Sequence, residues 1–245
     1  MRLDLFIVEH GYTTSRTDAK KFITGGSVTV NGKVVTKPSF LVEAAIHDVA
    51  VDTSSKKYVS RGGLKLEHAL DKFNIIVKDR LALDVGASSG GFTDCMLKQG
   101  ATHVIAVDSG TGQLSSELIG DNRITLIENF NARYMQPKDL PYAPDVVVMD
   151  VSFISAKLIL PSVYDCLSCD GDFICLVKPQ FEVGRTGIGK NGIVKDEKLR
   201  KKALESVIEF GEALGFSFKD SVRSPIEGGD GNVEFLVHFR KENKP

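Results

Sequence analysis

Residues 81–92 constrain the fold of this chain more than any other segment, because they read as a strand, a tight turn and the start of a helix. A short apolar run ends at Asp84, and the loop Val-Gly-Ala-Ser-Ser-Gly-Gly leads into an amphipathic stretch from Phe92. Such a unit lets a backbone approach a nucleotide-like ligand closely. The glycines lack the G-x-G-x-x-G spacing, and a carboxylate opens the turn, whereas a pyrophosphate site needs bare amides. The segment therefore favours a ligand that carries positive charge.

A second carboxylate supports this interpretation. The run 104–107 reads as the next strand and ends at Asp108. An acid about 20 residues beyond the first turn can accept both hydroxyls of a ribose. S-adenosylmethionine combines an adenosyl group with sulfonium and ammonium charge, while helix capping by the two acids and NAD(P) binding remain alternatives. The cofactor contacts expected from this region are Asp84, Gly86, Ala87, Ser88, Gly90, Gly91, Phe92 and Asp108.

Composition and charge exclude several classes. With 245 residues, 42% hydrophobic and 26% charged, the chain is typical of a soluble globular protein, and its net charge of −1 confines any basic surface to a local patch. No apolar run approaches the roughly 20 residues that cross a bilayer, and the first residues do not open a signal peptide. Four scattered cysteines indicate reduced thiols in the cytoplasm. The Cys166–Cys169 pair lacks a second ligand pair, so we expect a structural role and no metal.

Residues 1–58 differ in pattern from the rest. Two short amphipathic helices are predicted, the second beginning at a capping box from Ser15 to Asp18. Alternating valines on both sides of Asn31-Gly32 predict a hairpin with a type I′ turn. A block of this size suits a binding module, and the polar stretch 52–60 reads as a linker.

This block resembles the RNA-binding domain shared by a small-subunit ribosomal protein of the S-four type and by pseudouridine synthases. The resemblance rests on Arg2-Leu-Asp, Ser15-Arg, Ala19-Lys and Val28-x-Val-Asn-Gly-Lys33. It implies RNA-phosphate contacts at Arg2, Ser15, Arg16, Lys20 and Lys21. A solvated helix face is the alternative reading of these charges.

Residues 59–245 alternate between strand and helix patterns. Alternation of this kind predicts an α/β fold with a mainly parallel, Rossmann-like sheet covered on both faces. The last two strands have no room for a helix between them, so we expect an antiparallel hairpin at the end of that sheet. Strands are predicted at 81–85, 103–107, 124–127, 145–149, 173–177, 216–222 and 233–239, and the clearest helices at 64–73, 91–99, 155–167 and 196–214.

Four charged residues stand where such a sheet binds its ligand. Asp150 and Lys178 directly follow apolar strands, Glu234 lies early in the last strand, and Lys65 lies on the first helix. Ligands of doubly wound sheets bind beyond the carboxyl ends of the strands, beside the glycine turn. A lysine between two carboxylates can hold a hydroxyl, and a second lysine lowers the first one's proton affinity so that it can act as a base. A salt bridge between Lys178 and Asp150 alone would instead be structural.

The four residues match the K-D-K-E tetrad of ribose 2′-O-methyltransferases related to FtsJ. The chain as a whole resembles the TlyA family, which pairs the small RNA-binding module with an FtsJ-like domain. The motifs that carry this resemblance are Tyr58-Val-Ser-Arg-Gly-Gly-Leu-Lys65, the segment 84–94, Asp150-Val-Ser-Phe-Ile-Ser155, Val177-Lys-Pro-Gln-Phe-Glu182 and Gly231-Asn-x-Glu234.

The resemblance implies S-adenosylmethionine-dependent 2′-O-methylation of ribosomal RNA, with cytidine as the usual target and ribosomal subunits as partners. It assigns Asn131 to the adenine, Asp150 to the cofactor as well as to catalysis, and Arg61 to RNA. The glycine-rich stretch 181–192, with Arg185 and Lys190, either closes over RNA or is an ordinary surface loop. Two other functions stay open: a non-catalytic RNA-binding or assembly factor, and a membrane-active haemolysin, which the lack of a spanning helix argues against. No obligate protein partner or membrane attachment is evident.

Overall fold

A computed structural model describes residues 1–13, 15–43, 47–52, 57–184, 187–189, 192–228 and 231–242, without the side chain of Lys21. The chain folds as two compact units, Met1–Arg61 and Gly62–Pro245. Parts of the predicted linker and of the glycine-rich stretch, together with Arg185 and Lys190, lie outside the described residues.

The smaller unit packs two helices against a small antiparallel sheet. Its elements are α1 (Leu3–Glu9), α2 (Arg16–Thr24), β1 (Val28–Val30), β2 (Lys33–Val34) and β3 (Val49–Val51), with strand order β2-β1-β3. Asn31 and Gly32 both have positive φ, as the predicted type I′ turn requires. One arm of the predicted capping box forms, because Ser15 Oγ accepts from the Asp18 amide at 3.1 Å; the same hydroxyl also donates to Asp18 Oδ2 at 2.7 Å. The strand β3 was not predicted.

The larger unit contains a seven-stranded sheet with the order β6-β5-β4-β7-β8-β10-β9. The strands β4 to β8 run parallel, while β10 is antiparallel to both β8 and β9. The strands are β4 (Leu81–Val85), β5 (His103–Val107), β6 (Ile124–Ile127), β7 (Val146–Met149), β8 (Asp172–Val177), β9 (Ser217–Arg223) and β10 (Phe235–Arg240). The α-helices are α3 (Gly62–Phe73), α4 (Gly91–Lys98), α5 (Leu160–Cys166), α6 (Pro179–Glu182) and α7 (Glu197–Leu214).

The central strands explain why the sheet forms. Every residue of β7 and β8 is buried, as expected for parallel strands covered on both faces. The rings of Phe173, Phe216 and Phe239 pack together on one face, and Gly211 of α7 lies so close to the Phe239 ring that a larger residue there would clash. The core therefore fixes α7 tightly against the sheet.

The predicted α/β fold with a mainly parallel sheet and an antiparallel last strand is confirmed. One helix differs from expectation: the predicted helix 155–167 is divided into a 3₁₀ turn, Ala156–Leu158, and α5. Pro161 lies in the first turn of α5, where its missing N–H costs no hydrogen bond. Within the described part of the chain, no helix is long and apolar enough to cross a membrane.

Candidate active site

The strand order gathers three of the four predicted catalytic residues at the end of the sheet where the parallel strands finish. Asp150 follows β7 directly and Lys178 follows β8 directly, so both stand at the carboxyl end of adjacent parallel strands. The antiparallel strand β10 pairs Phe235 with Val177, which sets Glu234, one residue earlier, opposite Lys178. These three side chains thus begin from neighbouring backbone positions.

Lys65 completes the set from α3. Its Nζ lies 2.5 Å from Glu234 Oε2, and the lysine and carboxylate side chains are only 10% and 2% exposed. Removing two charges from water costs free energy that their attraction seldom offsets, so a pair this buried is weak evidence for a stabilising role. Its position next to Lys178 makes a role in chemistry the better explanation.

Lys178 forms the second ion pair. Its Nζ lies 2.6 Å from Asp150 Oδ1 and donates a hydrogen bond to Ser152 Oγ at 2.8 Å. Asp150 Oδ1 is buried. It lies close to the Lys178 ammonium, but no described residue donates it a hydrogen bond of good geometry. The Asp150 oxygen therefore retains capacity to accept a hydrogen bond from a ligand.

The glycine turn after β4 closes against the same edge. Gly86 has φ +84°, and a Cβ there would collide with the Asp150 carbonyl oxygen. The amides of Gly86 and Ala87 donate to the Val107 carbonyl, and the Gly90 amide donates to the Ala87 carbonyl. Most amides of the turn are thus already bonded, which disfavours the dinucleotide alternative because a pyrophosphate needs free amides.

Asp84 lies beneath this turn with no exposed surface. Its Oδ2 accepts a hydrogen bond of 2.6 Å from Thr93 Oγ1, and its buried Oδ1 has no partner among the described residues. Burial raises the pKa of Asp84 to about 7; the hydrogen bond from Thr93 opposes this rise, and the charge of Asp150 adds to it. A cation at the mouth of the site would favour the ionised form.

Asp108 and Asn131 stand at the ends of the next two strands. The two carboxylate oxygens of Asp108 accept from the amides of Gly110 and Ser88, each at 2.7 Å, so this side chain holds the turn in shape and keeps further lone pairs for a ribose. Asn131 is exposed and accepts a hydrogen bond from the Arg133 amide at the start of a 3₁₀ turn. The buried residues Ala87, Gly90, Gly91 and Phe92 form the floor of the turn, and Ser88 is exposed.

These residues fit S-adenosylmethionine. The buried Oδ1 of Asp84, which has no partner among the described residues, suits a cationic ligand, and Asp108 suits the hydroxyls of a ribose. The donors of the turn are mostly consumed within the protein. The described donor set thus favours a cationic ligand over an anionic one.

In the smaller unit, the buried carboxylate of Asp4 organises two of the predicted RNA-binding residues. Asp4 accepts two hydrogen bonds from Arg2, at 2.9 and 3.1 Å, and one from Arg16 at 3.0 Å, and these bonds lower its pKa to about 2, the Arg2 bond most strongly. The two arginine side chains remain 42% and 50% exposed. Lys20 is exposed and Ser15 is hydrogen-bonded to Asp18, while the two arginines are both held by Asp4.

Arg61 belongs to the same unit, and its guanidinium packs against Gly26, where a Cβ would collide with it. The remaining predicted RNA contacts give less information. The side chain of Lys21 and the whole of Arg185 and Lys190 lie outside the described residues.

Three residues that the sequence analysis did not single out contact this edge of the sheet. Ser152 binds Lys178, and the Glu182 carboxylate accepts from Ser155 Oγ and the Ala156 amide at 2.6 and 2.7 Å. The ring of Phe153 is 92% exposed, at a backbone φ of +65°. All three lie within a few residues of a predicted strand end and inside motifs that carry the family resemblance, and these were the signals available from sequence.

The sheet order and the site define a methyltransferase of the Rossmann-like class. The chain belongs to the FtsJ-like methyltransferase family, whose model matches residues 58–241, and an S4 domain model matches residues 1–45. The resemblance to the TlyA family is confirmed by relatives of nearly full length.

The candidate rRNA methyltransferase YqxC of Bacillus subtilis is 44% identical over 97% of this chain and 85% of its own length. The 16S/23S rRNA (cytidine-2′-O)-methyltransferase TlyA of Mycobacterium tuberculosis is 40% identical over 98% of this chain and 90% of its own. A solved structure of a candidate hemolysin from Streptococcus thermophilus is 44% identical, with a TM-score of 0.79 over 100% of this chain and 90% of that one.

Proposed function

We propose that this protein transfers a methyl group from S-adenosylmethionine to the 2′-hydroxyl of a ribose, on a cytidine, in ribosomal RNA. The observation that carries the proposal is the pair of adjacent ion pairs, Lys65–Glu234 and Lys178–Asp150, at the carboxyl edge of the sheet beside the glycine turn. The name and activity of the TlyA relative support the substrate class. Residues 1–58 are proposed to bind structured RNA and residues 59–245 to perform the chemistry, in the cytoplasm where ribosomal RNA is found.

The proposed chemistry needs little covalent participation by the protein. S-adenosylmethionine supplies a methyl group that its sulfonium has already activated. The protein must align the acceptor oxygen and remove its proton. Lys178, with Asp150 on one side and Glu234 opposite, would hold the hydroxyl, and it would accept the hydroxyl proton after passing its own proton to solvent. Lys65 neutralises Glu234, so that this carboxylate can stay ionised within the protein.

The surroundings of the tetrad also suit an RNA nucleotide. The exposed ring of Phe153, three residues beyond Asp150, offers a face on which an unstacked base can lie. In the smaller unit, Arg2 and Arg16 present two guanidinium groups, which bind phosphate well. A base stacked on Phe153 would support a ribose beside Lys178, and the arginines of the smaller unit would bind RNA phosphates on their own.

The test is methyl transfer to ribosomal subunits purified from cells that lack this protein. Wild-type protein and labelled S-adenosylmethionine should produce label in RNA, and alkaline hydrolysis followed by mass mapping should locate it at a 2′-O-methylcytidine. Lys178→Ala should incorporate no label while retaining RNA binding. Equal absence of label with both proteins would instead support a non-catalytic RNA-binding factor, and leakage of liposomes by both would support the haemolysin function.

A further inference from the structure

The loops that leave β7 and β8 run side by side and contact each other at three successive levels. Nearest the sheet, Lys178 binds Ser152. Next, the ring centroids of Phe153 and Phe181 lie 5.4 Å apart. Farthest out, Glu182 binds the segment that begins at Ser155. The loop that starts at Asp150 is therefore fastened on both sides of Phe153.

The outer contact uses the whole carboxylate of Glu182. Oε2 accepts from Ser155 Oγ at 2.6 Å, and Oε1 accepts from the Ala156 amide at 2.7 Å. Ala156 is the first residue of a 3₁₀ turn, whose first amides have no partner within the turn. Glu182 thereby connects the end of α6, one helical turn beyond Lys178, to the loop that follows Asp150.

The conformation of Phe153 indicates why the two loops are connected. Phe153 is 92% exposed and so gains little free energy from burial, and its positive φ costs free energy. Conformations of this kind persist only where the surrounding structure fixes them, and they concentrate at functional sites. The hydrogen bonds on either side of Phe153, at Ser152 and at Ser155 with Ala156, are the contacts that fix its backbone conformation.

We propose that Glu182 is a positioning residue for methyl transfer, which holds the loop from Asp150 to Ala156 in the geometry that receives the acceptor nucleotide. It acts through Phe153 and Asp150 and does not itself touch the reacting atoms. The inference rests on the proposed function and extends it to a residue outside the tetrad.

Kinetics of three variants test the proposal. Glu182→Ala should lower kcat/KM for RNA by about a hundredfold, the size expected when an acceptor is misplaced by about 1 Å. Affinity for S-adenosylmethionine should fall far less than kcat/KM, because Asp150 is the one expected cofactor contact in this loop and the other expected contacts lie at or beyond the ends of β4, β5 and β6. Glu182→Gln should recover most of the activity, since its amide oxygen can accept from Ala156 and its nitrogen can donate to Ser155. Asp196→Ala is the matched control, because Asp196 likewise caps a helix by accepting from a backbone amide, that of Lys198 at 2.8 Å.

A kcat/KM that is unchanged in Glu182→Ala would overturn the proposal. So would a parallel loss of cofactor affinity, since that pattern indicates general damage to the fold. Failure of Glu182→Gln to recover activity would likewise refute a role based on these two hydrogen bonds.

A second readout is independent of methyl transfer. The chain contains no tryptophan, so Phe153→Trp introduces a single tryptophan at the exposed ring, which can be excited without exciting the tyrosines. Time-resolved anisotropy should show a larger nanosecond depolarisation when Glu182→Ala is added, and no change when Asp196→Ala is added. Unchanged anisotropy overturns the proposal even if activity falls. If wild-type protein methylates no ribosomal RNA, the proposed function fails, yet the anisotropy still shows whether Glu182 orders this loop.

Discussion

The strand β8 carries an ion-pair cluster at each end, and the two clusters differ in how completely their hydrogen bonds are satisfied. At the amino end, Asp172 accepts from Arg80 at 2.7 Å on one oxygen and contacts His238 Nε2 at 2.9 Å on the other. At the carboxyl end, Lys178 meets an Asp150 oxygen that has no hydrogen bond among the described residues. Both ends of β8 thus carry an ion pair, and they differ in how many hydrogen bonds the carboxylate accepts.

The buried carboxylates show the same contrast in their proton affinities. Burial would raise the pKa of Asp172, but the hydrogen bonds from His238 and Arg80 outweigh burial and hold this pKa below its ordinary value. Burial raises the pKa of Asp84 to about 7, because the single bond from Thr93 does not compensate. A cluster that satisfies its own charges is built for stability, whereas one that leaves a carboxylate oxygen without a bond is built to receive a ligand.

The largest effect should come from Lys178→Ala at the carboxyl end. Loss of a group that accepts the substrate proton should lower kcat by about a thousandfold, within the range of general-base contributions. Single-turnover methyl transfer measures this loss. Lys157→Ala is the matched control, since Lys157 also binds a serine hydroxyl, Ser206 Oγ at 2.8 Å, but lies outside the tetrad. Similar losses in both variants would remove the distinction between the two ends.

Asp172→Ala should affect stability instead. Its removal leaves Arg80 and His238 without their shared partner, and we expect the free energy of unfolding to fall by about 2 kcal/mol, less than for fully buried pairs because Arg80 is 24% exposed. Since the folded pKa of Asp172 is lowered, its contribution is present above the unfolded value and disappears as the pH falls through the folded one. Urea unfolding at pH 7 and at acid pH measures both effects, and activity per folded molecule should be unchanged.

The sequence revealed the carboxyl end of the sheet much better than the amino end. Strand boundaries at 81–85, 103–107 and 124–127 agree with the structure because hydrophobic runs determine buried strands. The positions of Asp150 and Lys178 followed from strand ends alone, since ligands bind there in such sheets. Glu182 could not be predicted, because its role depends on contacts with residues more than twenty positions away. For the same reason, nothing in the sequence paired Asp172 with His238.

Asp84→Asn tests the contrast between the proton affinities of Asp84 and Asp172, and its effect should be smaller than that of the two preceding variants. Because the folded pKa of Asp84 is raised to about 7, stability should fall as the pH rises from about 4 to about 7 and then stay level. A cationic cofactor favours the ionised form, so wild-type affinity for S-adenosylmethionine should rise by up to about tenfold between pH 6 and pH 8. The amide that Asp84→Asn introduces has no proton to release, so the variant should lack both dependences. Calorimetric titration over this range measures the affinity, and parallel curves for the two proteins would contradict the prediction.

The smallest effect should come from Gly228→Ala, which tests how finely the carboxyl end is positioned. A Cβ at Gly228 would lie 2.5 Å from Glu234 Oε1, while the backbone there does not require positive φ. Lys65 holds Glu234 from the other side, so this carboxylate cannot move away freely, and kcat should fall a fewfold. Gly184→Ala is the control, because a Cβ there would meet no atom of the described residues within 4 Å. The single-turnover rate of Gly228→Ala should be lower than that of Gly184→Ala. Their melting temperatures should stay alike, since the methyl group at position 228 displaces one charged oxygen and leaves the core intact. Equal rates would mean that the carboxyl end tolerates such a shift, and that Glu234 acts through its charge and not through its position.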